Sequence, residues 1–525
     1  MFVPERRTGA ELPFLAFFVT MVPLCALTPT RSEAQALYYR SIPIGERAIG
    51  LGGAFTGVAS DPSATYYNPA GMMSGGRFSL LGSFSSIVFT RVKVENAFES
   101  PPTDATFTSS RTTTLPRFIG TIVKLGKKRF GDHQFALGYS TLEAERNNLG
   151  VGVTSNEADG TVDLSLGNNY RSRWYGISFA AEVTEKIALG LTAFLADQNT
   201  NYSETLGLAT GGMFDETTGV RVGGDSVTTR TSLNVQAYHI VLRLGWLQRI
   251  NPRWQVGVMF QPPGIPLSQK GSALRRSTAD IEPNESVFFL YENSDLKANA
   301  PIPFEIRAGF GWQANALTLL SVDAAVAGPV RDKDVFAEPA QIAAIPGELG
   351  VYFANSTARR WAPNVAVGAE HLFGKVAIAG GLFTNLSAAP DVPETATEYK
   401  PPQINMYGAA FSIGLDTKGY RLTFGATGLF GRGDALSFRL SNDGNVASYN
   451  RTKANRGALV LYIAGAVSVA TKGAGEVQRK YKKRKERKKN GGEEEGDSGS
   501  DSVGDVSANG NATETGTENT SESKD

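Results

Sequence analysis

From Arg77 onward, apolar and polar positions alternate with a period of two. In residues 254–261, Trp254, Val256, Val258 and Phe260 share one face and Gln255, Gly257, Met259 and Gln261 the other. Residues 187–195 set Ile187, Leu189, Leu191, Ala193 and Leu195 against Ala188, Gly190, Thr192 and Phe194. Residues 304–312 set Phe304, Ile306, Ala308, Phe310 and Trp312 against Glu305, Arg307, Gly309 and Gly311. In residues 407–415, Tyr407, Ala409, Phe411, Ile413 and Leu415 oppose Gly408, Ala410, Ser412 and Gly414. This period predicts strands with one apolar face. A soluble sandwich turns that face inward and a transmembrane barrel turns it outward, so the period alone does not separate the two.

The connections do separate them. Short polar turns at 126–133, 184–186, 247–253, 313–316, 373–375 and 416–419 alternate with long connections at 94–114, 147–171, 199–228, 262–302, 329–360, 387–403 and 432–456. An up-and-down membrane barrel has this layout, with tight turns on one side and long loops on the other. Six tight hairpins, a strand before them (77–93) and one after (457–470) predict an all-β fold, a 14-stranded antiparallel transmembrane β-barrel. SVFFLY (286–291) is assigned to the long 262–302 connection and is not counted. An even strand number puts both termini on the periplasmic side of a bacterial outer membrane. Closure is required because an open edge in lipid leaves backbone groups unpaired. In 238–246 the outward set is Tyr238, Ile240, Leu242, Leu244 and Trp246. Eight residues at ~3.3 Å each, tilted by roughly 40°, rise about 20 Å, close to the ~25 Å belt of such barrels.

Composition changes this picture little. A hydrophobic fraction of 41% does not exclude the membrane, because only alternate residues face lipid. A net charge of +1 gives no case for nucleic acid as a partner. The ends add more. Arg6 and Arg7, the apolar run Leu12–Leu27 and the small residues Ser32, Ala34 and Ala36 read as a signal peptide over 1–34. Pro13 and Pro23 and the shortness of the run argue against a membrane anchor. Leu24 is too large for lipoprotein cleavage before Cys25, the one cysteine, so the mature chain has no disulfide. Residues 471–525, with a basic run at 479–489 followed by an acidic, Ser-rich stretch, read as a disordered low-complexity tail. Its basic run is a solvated charge block, an attraction site for anionic headgroups or a docking element for a periplasmic partner.

Between the signal and the first strand lies AIGLGGAFTGVASDPSATYYNPAG (48–71). Gly50, Gly52 and Gly53 permit backbone conformations and close packing that larger residues forbid. Asp61-Pro62 and Asn68-Pro69 each pair a capping side chain with proline at the first helical position. This segment, with its Asn68, Pro69 and Ala70, resembles the glycine-rich start and NPA motif of the long-chain fatty acid transporter family, the FadL/TodX outer-membrane proteins. Residues 363–393, PNVAVGAEHLFGKVAIAGGLFTNLSAAPDVP, resemble the family's late hairpin.

The resemblance implies that 35–76 is a hatch before a barrel at 77–470, with Gly50, Gly52, Gly53, Asp61, Asn68, Pro69 and Ala70 in gating. It implies passive movement of long-chain fatty acids or similar hydrophobic compounds, captured at the outer loops and released sideways through a kinked strand, without cofactor or metal. Gly138 in the third strand is the candidate kink. Among the inward charges Glu182, Arg243, Glu305, Arg307, Asp323, Glu370 and Arg421, salt-bridging is the ordinary role. Arg243, Arg307 and Arg421 are candidate contacts for a ligand carboxylate. Ile265, Leu267, Phe288, Phe289, Leu290 and Tyr291 are candidates for an outer capture groove, with packing within the loop or extension of a strand as alternatives. An enzyme is not expected, since His133, His239 and His371 are scattered and lack a serine partner motif. A monomer in contact with outer-membrane lipid is expected. A partner-docking scaffold for secretion and a general porin are the alternative functions.

Overall fold

The computed structural model describes residues 43–469 apart from 101–102, 116, 126–133, 158–159, 211–212, 216, 218–219, 223, 282–284, 338–349, 418 and 441–445. The expected signal (1–34) and tail (471–525) lie outside the described residues. The wall strands are β1 (Phe78–Ser100), β2 (Thr103–Leu115, continued by Phe118–Leu125), β3 (Phe135–Glu157), β4 (Gly160–Glu182), β5 (Ile187–Thr210), β6 (Asp225–Asn251) and β7 (Trp254–Gln261, continued by Ile265–Ile281). Then follow β8 (Glu285–Lys297, continued by Glu305–Asn315), β9 (Thr318–Ala327), β10 (Ala362–Phe373), β11 (Val376–Asn385), β12 (Gln403–Thr417), β13 (Tyr420–Leu440) and β14 (Val446–Val469). Each pairs antiparallel with its sequence neighbours. β14 pairs antiparallel with β1 and closes the barrel at fourteen strands.

The alternation has the expected sense. Leu137, Ile177, Leu189, Leu191, Leu244, Phe411, Ile413 and Leu461 point outward and are exposed, whereas Thr192, Arg243, Arg307 and Asp323 point inward and are buried. A sheet that hides its charges and shows its leucines is solvated by lipid. Aromatic residues mark the short-turn rim: Trp254 stacks on Trp312 across β7 and β8 with ring centroids 5.1 Å apart, and Tyr420 and Phe373 are exposed at the same rim.

The long connections are mostly strand. β6 alone has 27 residues, which rise roughly 70 Å at ~3.3 Å per residue and ~40° tilt, far beyond the belt. Among the described residues, the stretches 94–114, 147–171, 199–228 (apart from a separate small hairpin of Met213–Asp215 with Val220–Val222) and 432–456 continue the wall beyond the membrane, while 329–360 and 387–403 are largely irregular. SVFFLY is also wall: Leu290 lies opposite Arg276 and Val287 opposite Ala279 in the β7–β8 hairpin. Its assignment to a loop fails because the strand pairs outside lipid, where neither face follows the belt's alternation.

One seam is incomplete. The β2–β3 ladder runs from Leu125 opposite Phe135 to Phe118 opposite Leu142, and ends with Glu143 N–H donating to the Arg117 carbonyl. Beyond this point no ladder joins Thr103–Leu115 to β3 among the described residues, although Thr103–Leu115 stays paired with β1. Outward Ile87 and Phe89 of β1 lie beyond that break, opposite Thr114 and Thr112, so the strands part within the apolar belt. At the candidate kink Gly138 the register runs unbroken to both Ile122 and Ser178, and the register irregularity of β3 lies between Glu143 and Glu145. A Cβ at Gly138 would meet Met72 Sδ at 2.8 Å, so this glycine makes room for the N-terminal segment.

Candidate functional site: a filled lumen, an apolar cavity and a parted wall

The N-terminal segment folds through local signals. The helix Glu46–Gly50 stops where Gly52 and Gly53 take φ of 64° and 85°, letting Gly53 N–H reach back to the Ala48 carbonyl at 2.7 Å. Asp61 Oδ1 accepts from Ser63 N–H at 2.8 Å, closing the turn before the helix Ala64–Tyr67. Asn68 then caps the 3₁₀-helix Pro69–Ser74: its Oδ1 accepts from Ala70 N–H at 3.2 Å, with proline at the first helical position. Its Nδ2 donates to the Thr56 and Trp246 carbonyls, both at 3.0 Å. Asn68 therefore ties two halves of the segment to each other and to β6.

The segment meets the inward faces of the wall strands from β2 round to β14. Thr65 Oγ1 lies 2.9 Å from Ser140 of β3, and Thr192 of β5 donates to the Thr65 carbonyl at 2.8 Å. Asp323 of β9 accepts both Phe55 N–H (3.0 Å) and Thr56 N–H (2.8 Å). Ile49 packs with Tyr462 and Ala464 of β14. Inward glycines make the approach possible: a Cβ at Gly190, Gly309 or Gly381 would stand 2.3 Å from backbone atoms of Pro69, Gly57 or Leu51. At Gly245 it would stand 2.3 Å from Asn68 Oδ1.

The three candidate ligand arginines serve this packing. Arg243 donates to the Tyr66 carbonyl (2.5 Å), Gln261 (3.0 Å) and Glu305 (3.1 Å), and its guanidinium lies 3.9 Å from the Tyr66 ring centre. Arg307 pairs with Glu305 and faces Tyr66 and Tyr67. Arg421 bridges Glu46 (3.1 Å) and Glu370 (2.7 Å), and Arg47 closes the network on Glu370 at 2.5 Å. Lys124 of β2 donates to the carbonyls of Met73 and Gly75, so a cation sits at the C-terminal end of the 3₁₀-helix.

Burial pushes the Glu46 carboxyl up to about 7 from 4.5, against the pull of Arg421 and a hydrogen bond from Thr423. The folded chain thus holds this proton more tightly than the unfolded chain. Its contribution to stability is full below pH 4.5 and falls as pH rises to about 7, by about 3 kcal/mol. We expect Glu46→Gln to flatten the pH dependence of the melting temperature in detergent across that window; an unchanged slope would contradict this.

The groove expected from Ile265, Leu267 and Phe288 to Tyr291 does not assemble. Ile265 and Leu267 are exposed on the wall, with Ile265 opposite lipid-facing Ile240. Leu290 sits opposite Arg276, nine residues further along β7 from Leu267, or about 30 Å. Instead, a cavity of about 90 Å³ opens inside the barrel mouth, lined by Val92, Val94, Phe107, Leu149, Ile404 and Leu436. Tyr352, Phe353 and Tyr399 cover it from the irregular connections. Tyr352 is fixed by its hydroxyl to the Ala97 carbonyl at 2.8 Å and packs edge-on against Tyr399 at 5.0 Å. Polar groups are few, chiefly Asn168 and the Arg456–Asn147 pair at 3.2 Å. Phe107, Asn147 and Leu149 belong to β2 and β3 where these part, and the Arg111 guanidinium lies against Gly150 across the divide. One pair of residues further down β3 and β4, a smaller polar cavity of about 50 Å³ rests on Tyr66 and Arg243.

Sequence reasoning missed the apolar cavity because its lining comes from separate strands and two connections. The only local signal is the aromatic pairing of Tyr352-Phe353 and the Tyr399 beside Pro401-Pro402.

Fold and site define a transmembrane β-barrel whose lumen is occupied by its own N-terminal segment. No family model and no curated protein matches the sequence. Among solved structures, the CymD monoaromatic hydrocarbon channel is 14% identical, with a TM-score of 0.51 over 82% of this chain and 98% of that one. A Pseudomonas aeruginosa FadL homologue is 13% identical, with a TM-score of 0.51 over 82% of this chain and all of its own (100%). The Pseudomonas putida toluene transporter TodX is 14% identical, with a TM-score of 0.51 over 83% of this chain and 100% of that one. In fold the chain resembles the FadL/TodX family.

Proposed function

We propose that this protein is a bacterial outer-membrane channel for passive uptake of hydrophobic compounds, either long-chain fatty acids or smaller apolar molecules. In this reading the short-turn rim is periplasmic, residues 35–76 are a hatch, and the ligand leaves sideways where β2 and β3 part. The observation that carries it is the apolar cavity beside that parting. An apolar molecule entering from the mouth finds a greasy site, a polar cavity with buried charges below it, and a wall opening toward lipid at its side. Partition into the opening avoids desolvating the Arg243–Glu305 level, so the sideways path has the lower barrier. The structural neighbours support the ligand class: two are described as channels or transporters of monoaromatic hydrocarbons or toluene.

Cells with and without this protein, given labelled oleate and labelled toluene in parallel, test the proposal. Faster uptake of at least one compound is expected; equal uptake of both contradicts it. A general porin is disfavoured because the N-terminal segment fills the lumen. In planar bilayers we expect no large steady conductance, and porin-like channels would reverse this.

A further inference from the structure

The lipid-facing wall carries a notch at the barrel seam. Register sets Ile119 of β2, Gly82 of β1, Gly465 of β14, Leu422 of β13 and Leu415 of β12 in one cross-strand row. All five point outward, the side on which Leu80, Ile119, Leu415 and Leu422 are exposed. Two glycines therefore stand side by side in the belt, at the pairing that closes the barrel. Leu80 and Val467 lie one step toward the short-turn rim, and the result is an open hollow of about 590 Å³ with almost wholly apolar lining. Directly beyond Gly82, β1 slips register between Ser83 and Ser85, a bulge that bends the strand there. Toward the rim, the hollow ends at Thr417 and the exposed ring of Tyr420, polar-tipped groups suited to the headgroup level.

We propose that this notch binds one phospholipid of the leaflet at the short-turn rim. An acyl chain lies over Gly82 and Gly465, and the headgroup sits at Thr417 and Tyr420. The notch is continuous with the lipid-facing belt, so lipid already covers its borders. Between them, two missing side chains leave space that only a flexible chain can fill without a void. No outward charge lies in the row, which argues against a polar partner.

Native mass spectrometry of the full-length protein, purified in mild detergent and given phosphatidylethanolamine, tests this. Wild type is expected to retain one phospholipid at detergent levels that strip the rest. Gly82→Leu and Gly465→Leu should each lose it. Gly428→Leu, at an outward glycine of β13 with nothing within 4 Å of its Cβ position, should keep it. Heat-modified mobility on gels confirms that each variant is folded, and the Gly465→Ala variant covers failure of the leucine changes, with partial loss expected. Retention by all variants, an adduct with the mass of a free fatty acid, or a dimer that the leucine variants dissociate would each overturn the proposal.

Discussion

Replacing Gly309 with leucine will unseat the N-terminal segment and turn a closed lumen into a conducting one. A Cβ at this position would stand 2.3 Å from Gly57 N and 2.4 Å from Asp323 Oδ1. The first is backbone and the second belongs to the carboxylate that holds Phe55 and Thr56, so neither can yield cheaply. Overpacking at such a site costs about 1–3 kcal/mol or more. Gly309 is paired on both sides by its neighbouring strands, opposite Gly257 and Asp323, so the strain is relieved by expelling the segment rather than by opening the wall there. Gly190→Leu should act alike, because its Cβ, on β5, would stand 2.3 Å from Pro69 C. Steady single-channel currents in planar bilayers are expected for both variants and not for wild type. Wild-type-like silence in both would show that the segment is not held by this ring.

Asn68→Ala is expected to lower stability by about 3 kcal/mol. It removes the cap on Ala70 N–H, worth about 1 kcal/mol. It also leaves the buried Thr56 carbonyl and the part-buried Trp246 carbonyl without the amide donor, at about 1 kcal/mol each. Aspartate does not rescue: it keeps the capping oxygen but turns a charge toward two carbonyls. The check is the midpoint of the heat-induced mobility shift on gels for wild type, Asn68→Ala and Asn68→Asp. Equal midpoints would mean that Asn68 carries no structural load.

Much of this was legible in the sequence, because membrane barrels write their inside and outside into alternate residues. Gly257 and Gly309 stand opposite each other on the non-apolar face of their strands, and that face proved inward. What alternation could not show is the partner: glycines on separate strands become one ring only when the strands close and a segment fills the lumen. Asn68-Pro69 was legible as a helix start because capping is local, while the bonds of Asn68 to Thr56 and Trp246 are not. The outer groove failed for a related reason. Phe288 and Leu267 look adjacent as apolar surprises in one long connection, but pairing with Thr278 and the neighbourhood of Tyr238 puts them far apart. The break in β2 lies at Arg117, beside Pro116, which has no N–H to give a ladder, but one proline in the sequence does not say which seam parts.

We propose that a hydrophobic compound leaves through the parting of β2 and β3. The chain's single cysteine is Cys25, in the expected signal, so an Arg111→Cys, Gly150→Cys pair can be bridged selectively across the divide by a short, thiol-cleavable linker. Uptake of the labelled compound that wild type transports should fall to the level of cells lacking the protein when the pair is bridged, and recover when the linker is cleaved. Undiminished uptake through the bridged barrel would contradict the account.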